Sequence, residues 1–185
     1  MPQQAGPSAS ALAGVGRLNR FPVLLTAGDH ALLTPALVDD FCRRAAALDA
    51  DAAIGVVPWD RVRTAFPESR RTVWRFRGEA WCGSNLFALL SERGRAAPRF
   101  WQSVEADRKR PWRIARRIGL RPLLGYLLRQ SDLDASLEAL SKVMGCRLAK
   151  ITVEEPRAAV DVDSVADRDL AEGLLRDERR ASLPG

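Results

Sequence analysis

Histidine and paired cysteine are scarce in this sequence, and each scarcity argues against a class of chemistry. His30 is the sole histidine, which leaves little room for histidine-based catalysis or a histidine metal site. Three cysteines lie far apart and form no CxxC pair, so we expect neither a disulfide framework nor a structural zinc, and we expect Cys42, Cys82 and Cys146 to be buried, reduced and inert. Any chemistry must therefore rest on carboxylates and arginines.

Long apolar runs are also missing. No segment approaches the roughly 18 apolar residues of a membrane span, and the start, MPQQAGPSAS, lacks the basic and apolar blocks of a secretory signal, so we expect a cytoplasmic protein without a transmembrane segment. A content of 46% apolar and 28% charged residues is typical of a globular protein. We expect one domain over residues 1–180 and a disordered tail at 181–185.

The positive charge is almost entirely arginine, because the net charge is +6 and the lysines are only Lys109, Lys142 and Lys150. The most basic stretch, residues 108–117, surrounds Trp112 and could bind an acidic acceptor, a lipid headgroup or nucleic acid. A solvated helix face explains it more simply, and we expect no specific nucleic acid partner. The remaining tryptophans are interpreted as packing residues: Trp59, Trp74, Trp81 and Trp101.

The residue patterns predict an alternation of strands and helices. Short apolar runs predict strands at 21–25 and 51–58, with a helix between them that is capped by Thr34 and begins at Pro35. Further strands are predicted at 72–77, 84–90 and 146–153, with helices at 8–19, within 98–144 and after Ser164. The first strand, helix and strand have the spacing of a right-handed crossover, which predicts a mostly parallel sheet with helices on both faces.

Acidic residues lie at two predicted strand ends, that of the first strand and that of a further extended segment which ends in VDVDS. Asp29 lies just past the first strand, although Gly-Asp is also ordinary turn chemistry, which is an equally good explanation. In VDVDS, residues 160–164, Asp161 and Asp163 share one face because side chains alternate along a strand. If Asp29 meets one of them across the sheet, the two carboxylates suit Mg²⁺ held jointly with phosphate oxygens.

Three segments in order, GPSAS (6–10), PVLLTAGDHALLTP (22–35) and AAVDVDSVADRDLA (158–171), resemble the MobA-like NTP transferase (nucleotidyltransferase) family over most of the chain. This resemblance implies a Rossmann-like, doubly wound α/β fold. It also implies Mg²⁺-dependent transfer of a nucleoside monophosphate from a nucleoside triphosphate, CTP or GTP, to a small phosphorylated acceptor. No Ser-His-Asp arrangement is then required, since the acceptor phosphate is the nucleophile.

The same resemblance assigns residues. Asp29 and Asp163 match the catalytic, metal-binding carboxylates, with Asp161 as second choice for Mg²⁺. The loop and helix start that contact the nucleotide base match Gly6, Ser8 and Ser10. The segment WCGSNLF (81–87) lies where these enzymes build the acceptor pocket, so Gly83 and Asn85 are candidate substrate-binding residues; a bulged strand with Asn85 in a turn explains the segment equally well. Arg110 is a further candidate because it belongs to the basic stretch that could bind an acidic acceptor.

The sequence also departs from that family. Its members open with a strand and a glycine-rich loop of the form LxAGxGxRMG, whereas AGVGR (13–17) follows no predicted strand and is not that loop. Ala31 stands where the family has proline. We therefore expect a fold incomplete at its N-terminus. Two other functions stay open: a noncatalytic relative that binds a nucleotide or partner, and a basic module that binds nucleic acid or a membrane surface.

Overall fold

The protein consists of one mixed sheet with helices on both faces. The computed structural model describes residues 6–18, 20–107 and 109–182. The strands are β1 (Val23–Thr26), β2 (Ala52–Pro58), β3 (Trp74–Arg75), β4 (Ala80–Leu89) and β5 (Leu148–Thr152). The helices are α1 (Pro7–Leu18), α2 (Pro35–Ala46), α3 (Trp59–Ala65), α4 (Ala96–Ala106), α5 (Pro111–Ile118), α6 (Leu120–Leu127), α7 (Leu133–Met144) and α8 (Val165–Ser182). Short 3₁₀ helices cover Glu92–Arg95 and Pro156–Ala159.

The strand order is β1-β4-β2-β5, with β3 paired to β4. Strands β1, β2 and β5 run in one direction, and β4 runs antiparallel to both β1 and β2. The predicted α/β, Rossmann-like fold is confirmed. In the predicted crossover from β1 through α2 to β2 the two strands are parallel but are not neighbours, because β4 inserts antiparallel between them. Local patterns could not reveal this, since β4 comes from much later in the chain.

Two layers of core pack against the two faces of the sheet. Strand β2 alternates between them: Ala53 and Val57 pack with α2, α3 and α8, while Val56 packs with α7 on the opposite face. The amino end of β2 joins a smaller cluster, in which Ala52 meets Val15 of α1. This two-sided burial explains why the strand is apolar along its length.

Several element boundaries differ from the sequence predictions. The strand predicted at 72–77 shrinks to β3, because the chain turns back where the Phe76 N–H donates to the Glu79 carbonyl and Gly78 has a φ of 72°. Strand β4 therefore begins at Ala80, earlier than expected. Helix α8 ends at Ser182, two residues inside the predicted tail, whereas 183–185 lie outside the described residues.

The predicted helix caps are present. The Thr34 hydroxyl accepts a hydrogen bond from the Leu37 N–H at 3.3 Å, and Pro35 opens α2. The Ser164 hydroxyl accepts from the Asp167 N–H at 3.2 Å, which fixes the start of α8. In the part of the chain that the structure describes, no helix has the length and apolarity to cross a bilayer.

Two expectations about individual side chains need correction. Cys82 and Cys146 are buried, and burial raises the pKa of the Cys82 thiol to about 11, but Cys42 is exposed on α2. Trp59, Trp74 and Trp81 pack against the core clusters as expected, whereas Trp101 is 56% exposed. In both cases the helix presents the residue on its solvent side.

Candidate functional site

Asp29 lies in a turn just beyond the carboxyl end of β1. Its carbonyl accepts hydrogen bonds from the Ala31 N–H at 3.0 Å and from the Val162 N–H at 3.1 Å. Val162 stands between Asp161 and Asp163, so this second bond fixes the two distant acidic segments side by side. Asp29 is thus in a turn, and its backbone is bonded to the segment that carries the other acidic pair. The strand predicted to end in VDVDS is wrong, because Pro156–Ala159 form a 3₁₀ helix and residues 160–163 are irregular.

The three carboxylates influence one another electrostatically. Repulsion from Asp161, with smaller contributions from burial and from Asp29, raises the pKa of Asp163. Asp163 is exposed, and Arg71 offsets only part of this effect. The cluster therefore has a negative potential that a cation would relieve.

Arg71 holds one side of the cluster in place. Its side chain is 8% exposed and forms ion pairs with Asp161 and Asp167, and it also donates to the Asp161 carbonyl at 2.8 Å. Asp167 accepts a further bond from the Ser164 hydroxyl at 2.6 Å, which is the main reason that its pKa is lowered. Arg71 thus partly neutralises Asp161 and leaves Asp163 as the freer carboxylate.

A bulge in β4 directs Asn85 at the same cluster. The register against β2 shifts between Ile54 and Val56, and Asn85 adopts a φ of 53°. Its side-chain amide donates to Asp161 at 3.0 Å. Gly55 opposes the bulge, and a Cβ there would lie 2.2 Å from the Ser84 hydroxyl oxygen. The bulged-strand interpretation of this segment describes its backbone, and the bulge also places Asn85 beside an acidic side chain.

His30 is buried next to the acidic residues. Neither ring nitrogen has a hydrogen bond of good geometry within the described residues. Burial lowers the pKa of His30, while the Ala158 backbone and the Asp161 and Asp29 carboxylates partly oppose that effect. Burial therefore disfavours protonation of the imidazole, although the carboxylates lie near it.

The residues expected to contact a nucleotide base lie where α1 meets α4. The Ser8 hydroxyl donates to Glu105 at 2.9 Å, and the Ser10 hydroxyl donates to the Gly6 carbonyl at 3.1 Å. No hydrogen bond or ion pair joins Gly6, Ser8 or Ser10 to Asp29 or Asp163 among residues 6–18, 20–107 and 109–182. Their assignment to a nucleotide stays a prediction.

The remaining substrate-binding candidates are separate from one another. Gly83 lies under the Trp74 ring, 3.5 Å from where a Cβ would be. Arg110 is exposed at the start of α5, and its N–H donates to the Asp107 carbonyl at 2.6 Å. In the basic stretch 108–117, Arg113 and Arg117 form ion pairs with Asp107, and Arg108 lies outside the described residues.

The sequence predicted Asp29, Asp161, Asp163 and Asn85 as site residues but missed Arg71. Arg71 belongs to an irregular segment with no periodicity, and its partners are 90 and 96 residues away. No local signal could have identified it. Among the described residues, no group of three or more histidine, cysteine, aspartate or glutamate side chains is arranged to hold a metal. A divalent ion here would need oxygens from phosphate or water in addition to the carboxylates.

Comparison with known proteins places this geometry in context. A solved structure of a hypothetical transferase from Thermus thermophilus superimposes with a TM-score of 0.76 and 29% sequence identity, over 89% of this chain and 70% of that one. The chain shares the fold of a hypothetical transferase. No protein-family model and no curated protein sequence matches it.

Proposed function

We propose that the protein is an Mg²⁺-dependent nucleotidyltransferase that transfers a nucleoside monophosphate from a nucleoside triphosphate to a small phosphorylated acceptor. The observation that carries the proposal is the hydrogen bond from Val162 to Asp29, which holds Asp161 and Asp163 beside the end of β1. The structural similarity to a hypothetical transferase supports a group-transfer reaction. The sequence resemblance to MobA-like enzymes indicates that the transferred group is a nucleoside monophosphate.

The residues present fit Mg²⁺ in charge and in donor type. Asp29 and Asp163 offer hard carboxylate oxygens, and the raised pKa of Asp163 reports negative charge that the protein itself leaves uncompensated. Asp161 is the weaker candidate because Arg71 and Asn85 already bind its carboxylate. When bound, Mg²⁺ would neutralise charge on the phosphates of the nucleotide.

The chain's own part in the reaction is then to position groups. An acceptor phosphate oxygen forms a bond to the α-phosphorus, and the bond from that phosphorus to the departing pyrophosphate breaks. Arg71 and Asn85 fix Asp161, and the bond from the Val162 N–H to the Asp29 carbonyl keeps the backbone next to Asp163 beside Asp29. His30 is buried, and burial disfavours the charged form of its ring, so it adds little charge near the carboxylates.

The test is Mg²⁺-dependent pyrophosphate release from a panel of nucleoside triphosphates and acceptor phosphates. We expect Asp29→Asn and Asp163→Asn each to lower the rate by at least about 100-fold, since each removes charge that binds the metal. Asp39→Asn is the matched control, because Asp39 is exposed on α2, outside the cluster. Equal loss in the control, or release that is independent of Mg²⁺, would contradict the proposal.

A second candidate is a noncatalytic relative that binds a nucleotide or a partner. The absence of a glycine-rich triphosphate loop from the 185 residues favours it. Tight, Mg²⁺-dependent nucleotide binding with no pyrophosphate release from any acceptor would identify this function. Pyrophosphate release by the wild-type protein separates the candidates, whereas Asp29→Asn and Asp163→Asn should weaken Mg²⁺-dependent nucleotide binding under either function.

A further inference from the structure

Helix α6 turns an apolar stripe toward solvent. Leu120, Leu124, Leu127 and Leu128 are 69%, 51%, 62% and 61% exposed. Their spacing places them on one helix face, which in an ordinary amphipathic helix would pack against the core. The sequence pattern predicts that this face is buried, whereas the structure leaves it exposed within the described residues.

The neighbouring helix also exposes a large apolar side chain. Trp112 of α5 is 61% exposed, and α5 leads directly into α6 through Gly119, whose φ is 92°. An open groove of about 530 Å³ runs along α6, and its lining includes Leu120, Leu124 and Leu128. Exposed apolar surface of this kind marks an interaction site.

The charged residues that flank these leucines in the sequence are all basic. No aspartate or glutamate occurs from residue 109 to residue 131, whereas the basic residues there are Lys109, Arg110, Arg113, Arg116, Arg117, Arg121 and Arg129. Asp107 pairs with Arg113 and Arg117. Within the described part of the chain, Arg116, Arg121 and Arg129 form no ion pair, so their charges are available to an anionic partner.

We propose that the α5–α6 surface, residues 110–129, docks onto the anionic surface of a lipid bilayer. Trp112 and the leucines of α6 would enter the boundary between headgroups and acyl chains, and the arginines would contact lipid phosphates. Charge selects this occupant over a second copy of the chain, because self-association would bring two arginine clusters together. The proposal does not depend on the nucleotidyltransferase activity.

Vesicle flotation with the full chain tests the proposal. We compare vesicles of phosphatidylcholine alone with vesicles that contain about a quarter of phosphatidylglycerol. The test variant is Arg121→Glu with Leu124→Glu, and the matched control is Arg17→Glu with Leu18→Glu on α1. Both pairs are exposed and change the net charge equally, and Leu18 and Leu124 are 53% and 51% exposed.

We expect the wild-type protein and the control to float with the anionic vesicles, and the test variant to bind them at least about tenfold more weakly. Equal weakening in both variants would overturn the proposal, because binding would then follow net charge rather than this surface. Failure of the wild-type protein to bind anionic vesicles would also overturn it. So would sedimentation that shows a dimer which only the test variant dissociates, since the occupant would then be a second copy.

Discussion

At the scale of single residues, His30 is an internal reporter of the acidic cluster, because it is the only histidine in the chain. Its pKa is lowered from the ordinary value of 6.5, mainly by burial. A lowered pKa in the folded state means that the unfolded chain binds the proton more readily. The stability that neutral His30 contributes is therefore present above pH 6.5 and is lost as the pH falls through the folded pKa.

An NMR titration of the imidazole carbon-bound protons should give a pKa below 6.5. Urea unfolding should show stability declining as the pH falls below that value, and His30→Asn should flatten that part of the decline. Other carboxylates also titrate at lower pH, so the comparison is between the variant and the wild type at each pH. A His30 pKa at or above 6.5 would contradict the burial that the structure shows.

Arg71 should matter for stability more than any neighbouring arginine. Arg71→Gln leaves Asp161 and Asp167 facing each other without their shared cation, and we expect a loss of about 2–4 kcal/mol in the free energy of unfolding. Arg70→Gln is the control, since Arg70 is exposed and adjacent in sequence. Chemical denaturation of both variants measures the difference. Similar values for the two would show that the Arg71 ion pairs contribute little.

Asp29 was predictable because it follows β1, and the end of a strand is visible in the sequence as the end of an apolar run. Asp161 and Asp163 were predicted at a second strand end, but residues 160–163 are irregular and follow a 3₁₀ helix, so a hydrogen bond to Asp29 places them and not a strand. The charge state of Asp163 was not predictable, since it depends on how near Asp161 and Asp29 lie. The same holds for the amide of Asn85, which a β4 bulge directs toward Asp161.

At the scale of secondary structure elements, the β4 bulge depends on the absence of a side chain at Gly55. A Cβ there would lie 2.2 Å from Ser84 Oγ and 3.1 Å from the Phe41 ring. We expect Gly55→Ala to destabilise the protein by about 1–3 kcal/mol, because the core must shift to admit one methyl group. Adding Ser84→Gly should recover part of the loss, as it removes the closest contact.

Gly173→Ala is the matched control for Gly55→Ala. Gly173 lies within α8, and nothing is within 4 Å of its added Cβ. Alanine there should stabilise the protein by about 0.5–1 kcal/mol, because alanine favours the helix. Thermal or urea unfolding of the two variants should therefore shift in opposite directions. A neutral Gly55→Ala variant would mean that the bulge tolerates a side chain opposite it.

Element prediction succeeded where the pattern was long and capped, as in α2, and failed where tertiary pairing decided the outcome. Strand β3 is two residues long because a turn at Gly78 folds it back onto β4. Helix α6 shows the clearest limit: its leucines have helical spacing, but spacing alone does not say whether a face is covered.

At the scale of the whole molecule, the reactivity of the thiols shows which parts of the folded protein exclude a labelling reagent. Cys42 is exposed, whereas Cys82 and Cys146 are buried and their thiol pKa values are raised by burial. We expect one thiol to react rapidly with a labelling reagent under native conditions and the other two only on unfolding. Cys42→Ser should abolish the rapid phase. Fast reaction of all three thiols would contradict the packing of β4 and of the α7–β5 connection.

The overall α/β architecture followed from the order of strands and helices, but the order of strands in the sheet did not. Inserting β4 between β1 and β2 requires contacts across long stretches of sequence, which no local propensity encodes. That insertion also helps to build the candidate site. It brings the β4 bulge beside the carboxyl end of β1, where Thr26 pairs with Leu86, next to Asn85.

The central claim is that Asp29 and Asp163 share a divalent ion, and paramagnetic broadening tests it directly. Mn²⁺ binds the same oxygen donors as Mg²⁺ and broadens nearby proton signals. With CTP or GTP present, an equivalent of Mn²⁺ should broaden the His30 imidazole signals in the wild type and in Asp39→Asn. Asp163→Asn should keep them sharp. Sharp His30 signals in the wild type with Mn²⁺ and either nucleotide would contradict the account.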